Sequence, residues 1–297
     1  MLALLFCLPL FAATPRESLL VDVNWLKQHI NDRNLVLLQV GDPDSFDAAH
    51  IANARKVVLG DIHVSEHSAT GLILEMPKPE ELRQRLEALG ISDDSRVIVY
   101  FGKDWVSPTT RILLTLQYAG LGARASMLDG GLPAWTRAGG AVTKEKTDIK
   151  PGKLSPLKIV PLVVDGATVR SRIDAKGFAI VDGRASVFYD GVEAGEDHGG
   201  VQQRLGHVRS AHSIPFTSIT DDQLFVKSTA ELRAMFDKAG VKPGDTVIGY
   251  CHIGMQTTAM LLAARILGHP VLLYDGSYQD WSRHTDWPVE NPAEARK

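Results

Sequence analysis

The chain contains itself twice, and that repeat constrains its fold more than any other feature. LEALGISDDSRVIVYF, residues 86–101, returns as FDKAGVKPGDTVIGYC, residues 236–251, with Gly90 answering Gly240 and Tyr100 answering Tyr250 at an offset of 150. MLDGGLPAW (127–135) returns as LYDGSYQDW (273–281), so that Asp129 and Trp135 answer Asp275 and Trp281 at an offset of 146. Upstream, HIANARKV (50–57) answers HVRSAHSI (207–214). A period near 150 residues is far too long for a solenoid, so the pattern reads as duplication of a whole domain. The 297 residues suffice for two such domains, each with its own core. Between the copies, TKEKTDIKPGKLSP (143–156) is charged, rich in Lys and Pro, and poor in aromatic residues, as a surface connector should be. The expected division is a first domain at 16–145, a linker at 146–161 and a second domain at 162–290.

Each half alternates short apolar runs with helical patterns. FAIVD (178–182), TVIGYC (246–251) and VLLYD (271–275) read as buried strands. STAELRAMFDKAG (228–240) reads as a helix, opened by the capping box of Ser228 with Glu231 and stopped by Gly240. Continuous apolar strands separated by helices predict an α/β fold, a parallel sheet with helices on both faces in each domain. In such sheets ligands bind beyond the carboxyl ends of the strands, and Cys251 falls at one of those ends.

Composition excludes more than it selects. With 44% hydrophobic and 23% charged residues and a net charge of −3, nothing calls for nucleic acid or an anionic membrane as partner. The opening MLALLFCLPLFAATP is too short to span a bilayer but suits a signal-peptide core ending in small residues. Residues 1–13 are therefore expected to be a signal peptide, although no Lys or Arg precedes Arg16. Export would make the protein periplasmic or secreted; a merely buried or disordered N-terminus would leave it cytoplasmic. No later segment reads as a membrane span. Only Cys7 and Cys251 are cysteines, which excludes a disulfide scaffold and a multi-cysteine zinc site. His198, His207 and His212 lack the spacing of metal ligands on a helix face, and His207 repeats as His50. Neither a metal nor an organic cofactor is expected.

The remaining thiol sits at a turn between a strand and a helix. Cys251, His252, Ile253, Gly254, Met255 and Gln256 separate the strand from a helical run that opens near Thr257. A loop entering a helix N-terminus aims backbone N–H groups and the positive end of the helix dipole at its first residue. Such a setting favours an anion, which is the nucleophilic form of a thiol. Gly254 suits a tight turn there. The alternative is a cysteine that merely ends a buried strand and packs.

At this point the residues resemble a known family. GYCHIGMQTTAMLLAARILG with YDGSYQDW, IVDGR (180–184) and GHVRSAHSIPF (206–216) is similar to the rhodanese sulfurtransferases, in the form with two tandem rhodanese-like domains. In the first copy Phe101 takes the place of Cys251, and FGKDWVS offers no nucleophile, so the first domain is expected to be inactive and structural. The resemblance implies a persulfide on Cys251, formed from a small anionic sulfur donor and passed to cyanide or a thiol, with a partner protein as an alternative acceptor. It also implies that Arg184 binds the anionic part of the donor and that Asp182 supports the active loop. His252 is the one loop side chain able to carry positive charge. N–H groups from His252 through Ile253, Gly254, Met255 and Gln256 to Thr257 would stabilise thiolate and persulfide. The side chains of Gln256, Thr257 and Ser277 could add hydrogen bonds. Asp275 and Trp281 recur in the copy without a nucleophile, which points to structural roles for both.

The donor is less constrained. Thiosulfate enzymes of the mitochondrial type carry Arg and Lys after the cysteine, and mercaptopyruvate enzymes carry Gly-Ser-Gly-Val-Thr; this chain has His-Ile-Gly-Met-Gln. Thiosulfate is the expected donor, on the strength of Arg184 and His252, with 3-mercaptopyruvate as the alternative. Cysteine-loop phosphatases of the cell-cycle type share the fold but need an arginine six positions after the cysteine, where Thr257 stands. A persulfide carrier that loads sulfur without turning over is a third, non-enzymatic reading.

Overall fold

The computed structural model describes residues 14–68, 70–104, 106–196 and 202–295. The expected signal peptide with Cys7, and His198, lie outside the described residues. The first sheet holds β1 (Leu20–Val21), β2 (Leu35–Val40), β3 (Arg55–Val57), β4 (Arg96–Phe101) and β5 (Ala125–Leu128), in the order β1-β5-β4-β2-β3, all parallel. The second half contributes β6 (Val163–Val164), β7 (Phe178–Asp182), β8 (His207–Val208), β9 (His212–Ser213), β10 (Thr246–Tyr250), β11 (Val271–Tyr274) and β12 (Val289–Glu290). Its main sheet runs β6-β11-β10-β7-β9, again all parallel, while β8 and β12 pair antiparallel at its side. The two sheets have the same topology, as duplication requires.

The strands are apolar on both faces because both faces are covered. Side chains alternate across a strand, so Val97 and Val99 point one way and Ile98 and Tyr100 the other; Val247 likewise opposes Ile248 and Tyr250. In the first domain one face meets the helices Pro79–Ala88 and Val106–Tyr118, and the other meets Val23–His29 and Gly131–Arg137. The second domain repeats this with Thr229–Ala239 and Thr257–Ile266 on one face and Gly166–Ser171 and Ser277–Trp281 on the other. The outer faces form separate clusters around Trp135 and Trp281, whereas the inner faces of the two domains merge into a single core.

That merger is made by Val106–Tyr118 and Thr257–Ile266, which lie against each other with nearly every side chain buried. Ile112, Leu113, Leu116, Met260 and Leu261 all belong to the shared core. Each such side chain contributes roughly 1.5–3 kcal/mol when taken out of water, so the domains are not independent bodies on a string. The hydroxyls of Thr110 and Thr258, at equivalent places in the repeat, meet at 2.7 Å, and Arg265 donates to Gln117.

The connector differs from a loose surface tether. Gly152 N–H donates to Glu87 O at 2.7 Å, Asp93 N–H to Lys153 O at 3.1 Å and Val160 N–H to Tyr118 O at 2.8 Å. Leu154 is buried in the shared core. The segment is polar in composition, yet its backbone groups find partners along the first domain, and Leu154 anchors it in the core.

The repeated His and Tyr explain themselves. Tyr100 Oη accepts from Ile51 N–H at 3.1 Å, and Tyr250 Oη accepts from Val208 N–H at 3.0 Å. His50 stacks on Phe46, and His207 stacks on Tyr189, each with Nδ1 on the carbonyl of its stacking partner. Each pair ties a short helix, Pro43–Ala48 or Ser186–Tyr189, to the segment that follows it.

Candidate active site

Three parallel strands deliver their carboxyl ends to one place. β10 leads into Cys251, neighbouring β7 ends at Asp182 with Arg184 just beyond, and β11 leads into Asp275 and Ser277. Cys251 is the free cysteine among the described residues and is fully buried. Its N–H donates to Ser277 Oγ at 3.3 Å, and that hydroxyl donates onward to Tyr274 O at 2.8 Å. The carbonyls of Cys251 and His252 accept from Tyr278 N–H and Gln279 N–H, each at 3.0 Å. The start of the Ser277–Trp281 helix therefore grips the backbone of the cysteine loop. Ser277 holds φ 51°, a left-handed conformation costly for a residue with a Cβ.

The loop from Cys251 to Gln256 closes tightly before the helix opens at Thr257. Gly254 has φ 77°, and a Cβ there would stand 2.7 Å from Asp275 O. Gly249 and Gly183 leave room for Thr257, since a Cβ on Gly249 would lie 2.5 Å from Thr257 Oγ1 and one on Gly183 2.9 Å from Thr257 Cα. Thr257 is fully buried, and its Oγ1 finds no hydrogen-bond partner among the described residues.

Arg184 does not reach the cavity beside the loop. It is fully buried, donating from Nε and Nη2 to the Asp182 carboxylate at 3.0 and 2.6 Å and from Nη2 to Gly206 O at 2.7 Å. Its guanidinium also lies 4.0 Å above the Tyr278 ring. Nε and Nη2 are thus taken up by a carboxylate two residues earlier on the same strand end and by a carbonyl, while the buried Nη1 finds no hydrogen-bond partner among the described residues. Asp182 Oδ1 also accepts from Arg184 N–H at 2.9 Å.

A cavity of about 500 Å³ opens over the loop. His252, Ile253, Met255 and Gln256 form one wall; Phe188, Glu193, Ala194 and Glu196 form the other. His252 Nδ1 bonds Gln203 Oε1 at 2.8 Å, and the Phe188 ring meets the imidazole edge-on at 4.6 Å. Gln203 is itself buried. Neither Phe188 nor Gln203 carries a sequence signal, because each reaches the loop only through the fold.

The first domain enters the site as well. Arg111, on the Val106–Tyr118 helix, is fully buried and donates from Nη1 to Gly254 O at 3.1 Å. Its Nη2 pairs with Asp275 Oδ1 at 2.7 Å, and Nε donates to His63 Nε2 at 3.0 Å. His63 therefore accepts, and burial, reinforced by the Arg111 charge, holds its pKa well below the usual imidazole range. Asp275 Oδ2 accepts from Met76 N–H at 2.8 Å. Asp129, the counterpart of Asp275, accepts from Val226 N–H at 2.8 Å in the opposite direction. Both repeated aspartates are thus clasps between the domains. Glu75, beside this cluster, is pushed up to about 8 by burial and by the Asp275 charge, against the pull of Arg111. The only hint of Arg111 in the sequence is an arginine inside the otherwise uncharged TTRILLTL.

Among the described residues no group of three or more His, Cys, Asp or Glu is placed to hold a metal ion, and no helix is long and apolar enough to cross a membrane. The Rhodanese-like domain model matches residues 22–138 and again 166–284. A thiosulfate sulfurtransferase of Bos taurus is 30% identical over 223 residues, covering 74% of each chain. A 3-mercaptopyruvate sulfurtransferase of Escherichia coli (strain K12) is 27% identical over 278 residues, covering 91% of this chain and 97% of its own. Among solved structures, an anaerobic ergothioneine biosynthesis enzyme from Chlorobium limicola superposes with a TM-score of 0.81 over 93% of this chain and 70% of its own, at 19% identity, a likeness of fold alone. Two copies of the domain model and relatives named for sulfur transfer agree with the duplicated sheets and the cysteine turn: the chain belongs to the rhodanese-like family, in its tandem-domain form.

Proposed function

We propose that this protein is a sulfurtransferase that carries sulfane sulfur as a persulfide on Cys251. What supports the reading is the position of Cys251, the sole cysteine of the described residues, at the carboxyl end of β10 in a loop fastened from both neighbouring turns. The Cys251 thiolate attacks the outer sulfur of thiosulfate and releases sulfite, or attacks the thiol sulfur of 3-mercaptopyruvate and releases pyruvate, which keeps the thiol proton on its methyl group. Cyanide or a thiol then removes that sulfur and restores the thiolate. N–H groups of the loop from His252 to Thr257 and the unpartnered Thr257 hydroxyl are the donors available to the bound sulfur. Asp182, Arg184, Asp275 and Ser277 serve as supports that fix the loop rather than as donor ligands.

The choice of donor follows from charge. Glu193 and Glu196 on the cavity wall outnumber His252, the one lining residue among those described that is able to carry positive charge, and disfavour a dianion. Singly charged 3-mercaptopyruvate is therefore the better donor, and its kcat/KM should exceed that of thiosulfate. Intact mass measurement tests the mechanism. After incubation with either donor, one extra sulfur should appear on Cys251, leave as thiocyanate with cyanide, and be absent in Cys251→Ser. An unchanged mass with both donors would overturn the reading, and loading without steady turnover would point to a carrier instead.

A further inference from the structure

The cavity over the cysteine loop is built for a different charge from the one its donors carry. Glu193 and Glu196 stand exposed on one wall, and no Lys or Arg is among the described residues that line it. Phe188 adds an aromatic ring to the same wall. On the loop side, Gln256 Oε1 is buried and finds no hydrogen-bond donor among the described residues. Two carboxylates attract a cation, an aromatic face accommodates one, and an orphaned acceptor is satisfied by an N–H that the ligand brings. The volume of about 500 Å³ is that of a small-molecule site.

Resting on the persulfide reading above, we infer that the sulfur acceptor taken by this cavity is a small thiol bearing a positive charge, of the aminothiol class. Its ammonium sits against Glu193 and Glu196 while its thiolate attacks the outer sulfur of the Cys251 persulfide. One S–S bond forms between acceptor and outer sulfur. The bond from that sulfur to Cys251 Sγ breaks, and its electron pair returns to Sγ as thiolate. The product is the persulfide of the acceptor, with no oxidant or reductant consumed.

The test uses the full chain with Cys251 loaded by inorganic tetrasulfide, desalted and verified by mass. Single-turnover rates are then measured with cysteamine, 2-mercaptoethanol and 3-mercaptopropionate, which differ in charge. Because these thiols also differ in intrinsic reactivity, the informative quantity is the cysteamine to 3-mercaptopropionate ratio compared between proteins. In Glu193→Gln/Glu196→Gln, whose side chains are exposed and peripheral to the core, that ratio should fall about tenfold at low ionic strength. In the wild type it should shrink as salt is added. A ratio unchanged by the double substitution, with both proteins fully loaded, would overturn the inference alone. Failure of Cys251 to load at all would overturn the persulfide reading and the inference with it.

Discussion

Gly254 carries two constraints at once: a left-handed φ of 77° and a backbone neighbour that leaves no space for a methyl group. An alanine there meets Asp275 O at 2.7 Å and must also adopt a conformation costing roughly 1–2 kcal/mol. Gly254→Ala should slow persulfide formation by about tenfold or more, because the reacting sulfur and its donors are displaced together. Stopped-flow loading of Cys251 would measure it, and an unaltered rate would mean the loop tolerates a wider turn. At this scale the sequence was readable wherever the site is contiguous. Cys251, Gly254 and Thr257 follow one another through a single turn, so their relation needs no fold. The pairing of Arg184 with Asp182 was not legible, because it depends on both side chains bending back to the same buried spot.

The helix Val106–Tyr118 belongs to the domain that has Phe101 in the place of Cys251, yet it supplies the guanidinium that holds Gly254 O and Asp275. Removing that charge leaves Asp275 buried and unpaired. Arg111→Met should therefore destabilise the protein by about 3–5 kcal/mol in denaturant unfolding. Arg111→Lys keeps the charge but not the planar fork, so it should recover much of the stability. It should not recover the rate of loading, since one ammonium cannot bond Gly254 O, Asp275 and His63 together. Equal recovery of both would reduce Arg111 to a structural residue. Strands and the Thr229–Ala239 helix were legible as elements, because short continuous apolar runs and a capping box are local signals. Of the buried interdomain helices, Thr257–Ile266 was legible as a helix but not as an interface, since an all-round apolar helix says only that something covers it.

Over the whole molecule, the domains share one core and clasp each other through Asp129 and Asp275. Glu75 sits at the second clasp, where burial and the Asp275 charge push its pKa up to about 8 from an ordinary 4.5. A raised carboxylate means that the folded state holds a proton which the unfolded chain has released. Stability should therefore decline as pH rises from about 4.5 to about 8. Glu75→Gln imitates the protonated form: its melting temperature should match the wild type near pH 5 and exceed it near pH 8. Parallel melting curves for the two proteins across that range would remove Glu75 from the clasp.

Duplication, the α/β class, the alternation of strands with helices and the place of the cysteine turn were determined by the sequence alone, because each is written in local periodicity, in caps or in the repeat itself. The partners of Arg184, the reach of Arg111 from the first domain into the second, and the acidic wall facing His252 were decided only by tertiary structure. The reason is separation along the chain. Arg111 and Gly254 are 143 residues apart, and Gln203 and His252 are 49 apart. No local pattern encodes which of many buried polar groups will meet once two covered sheets close on a common core.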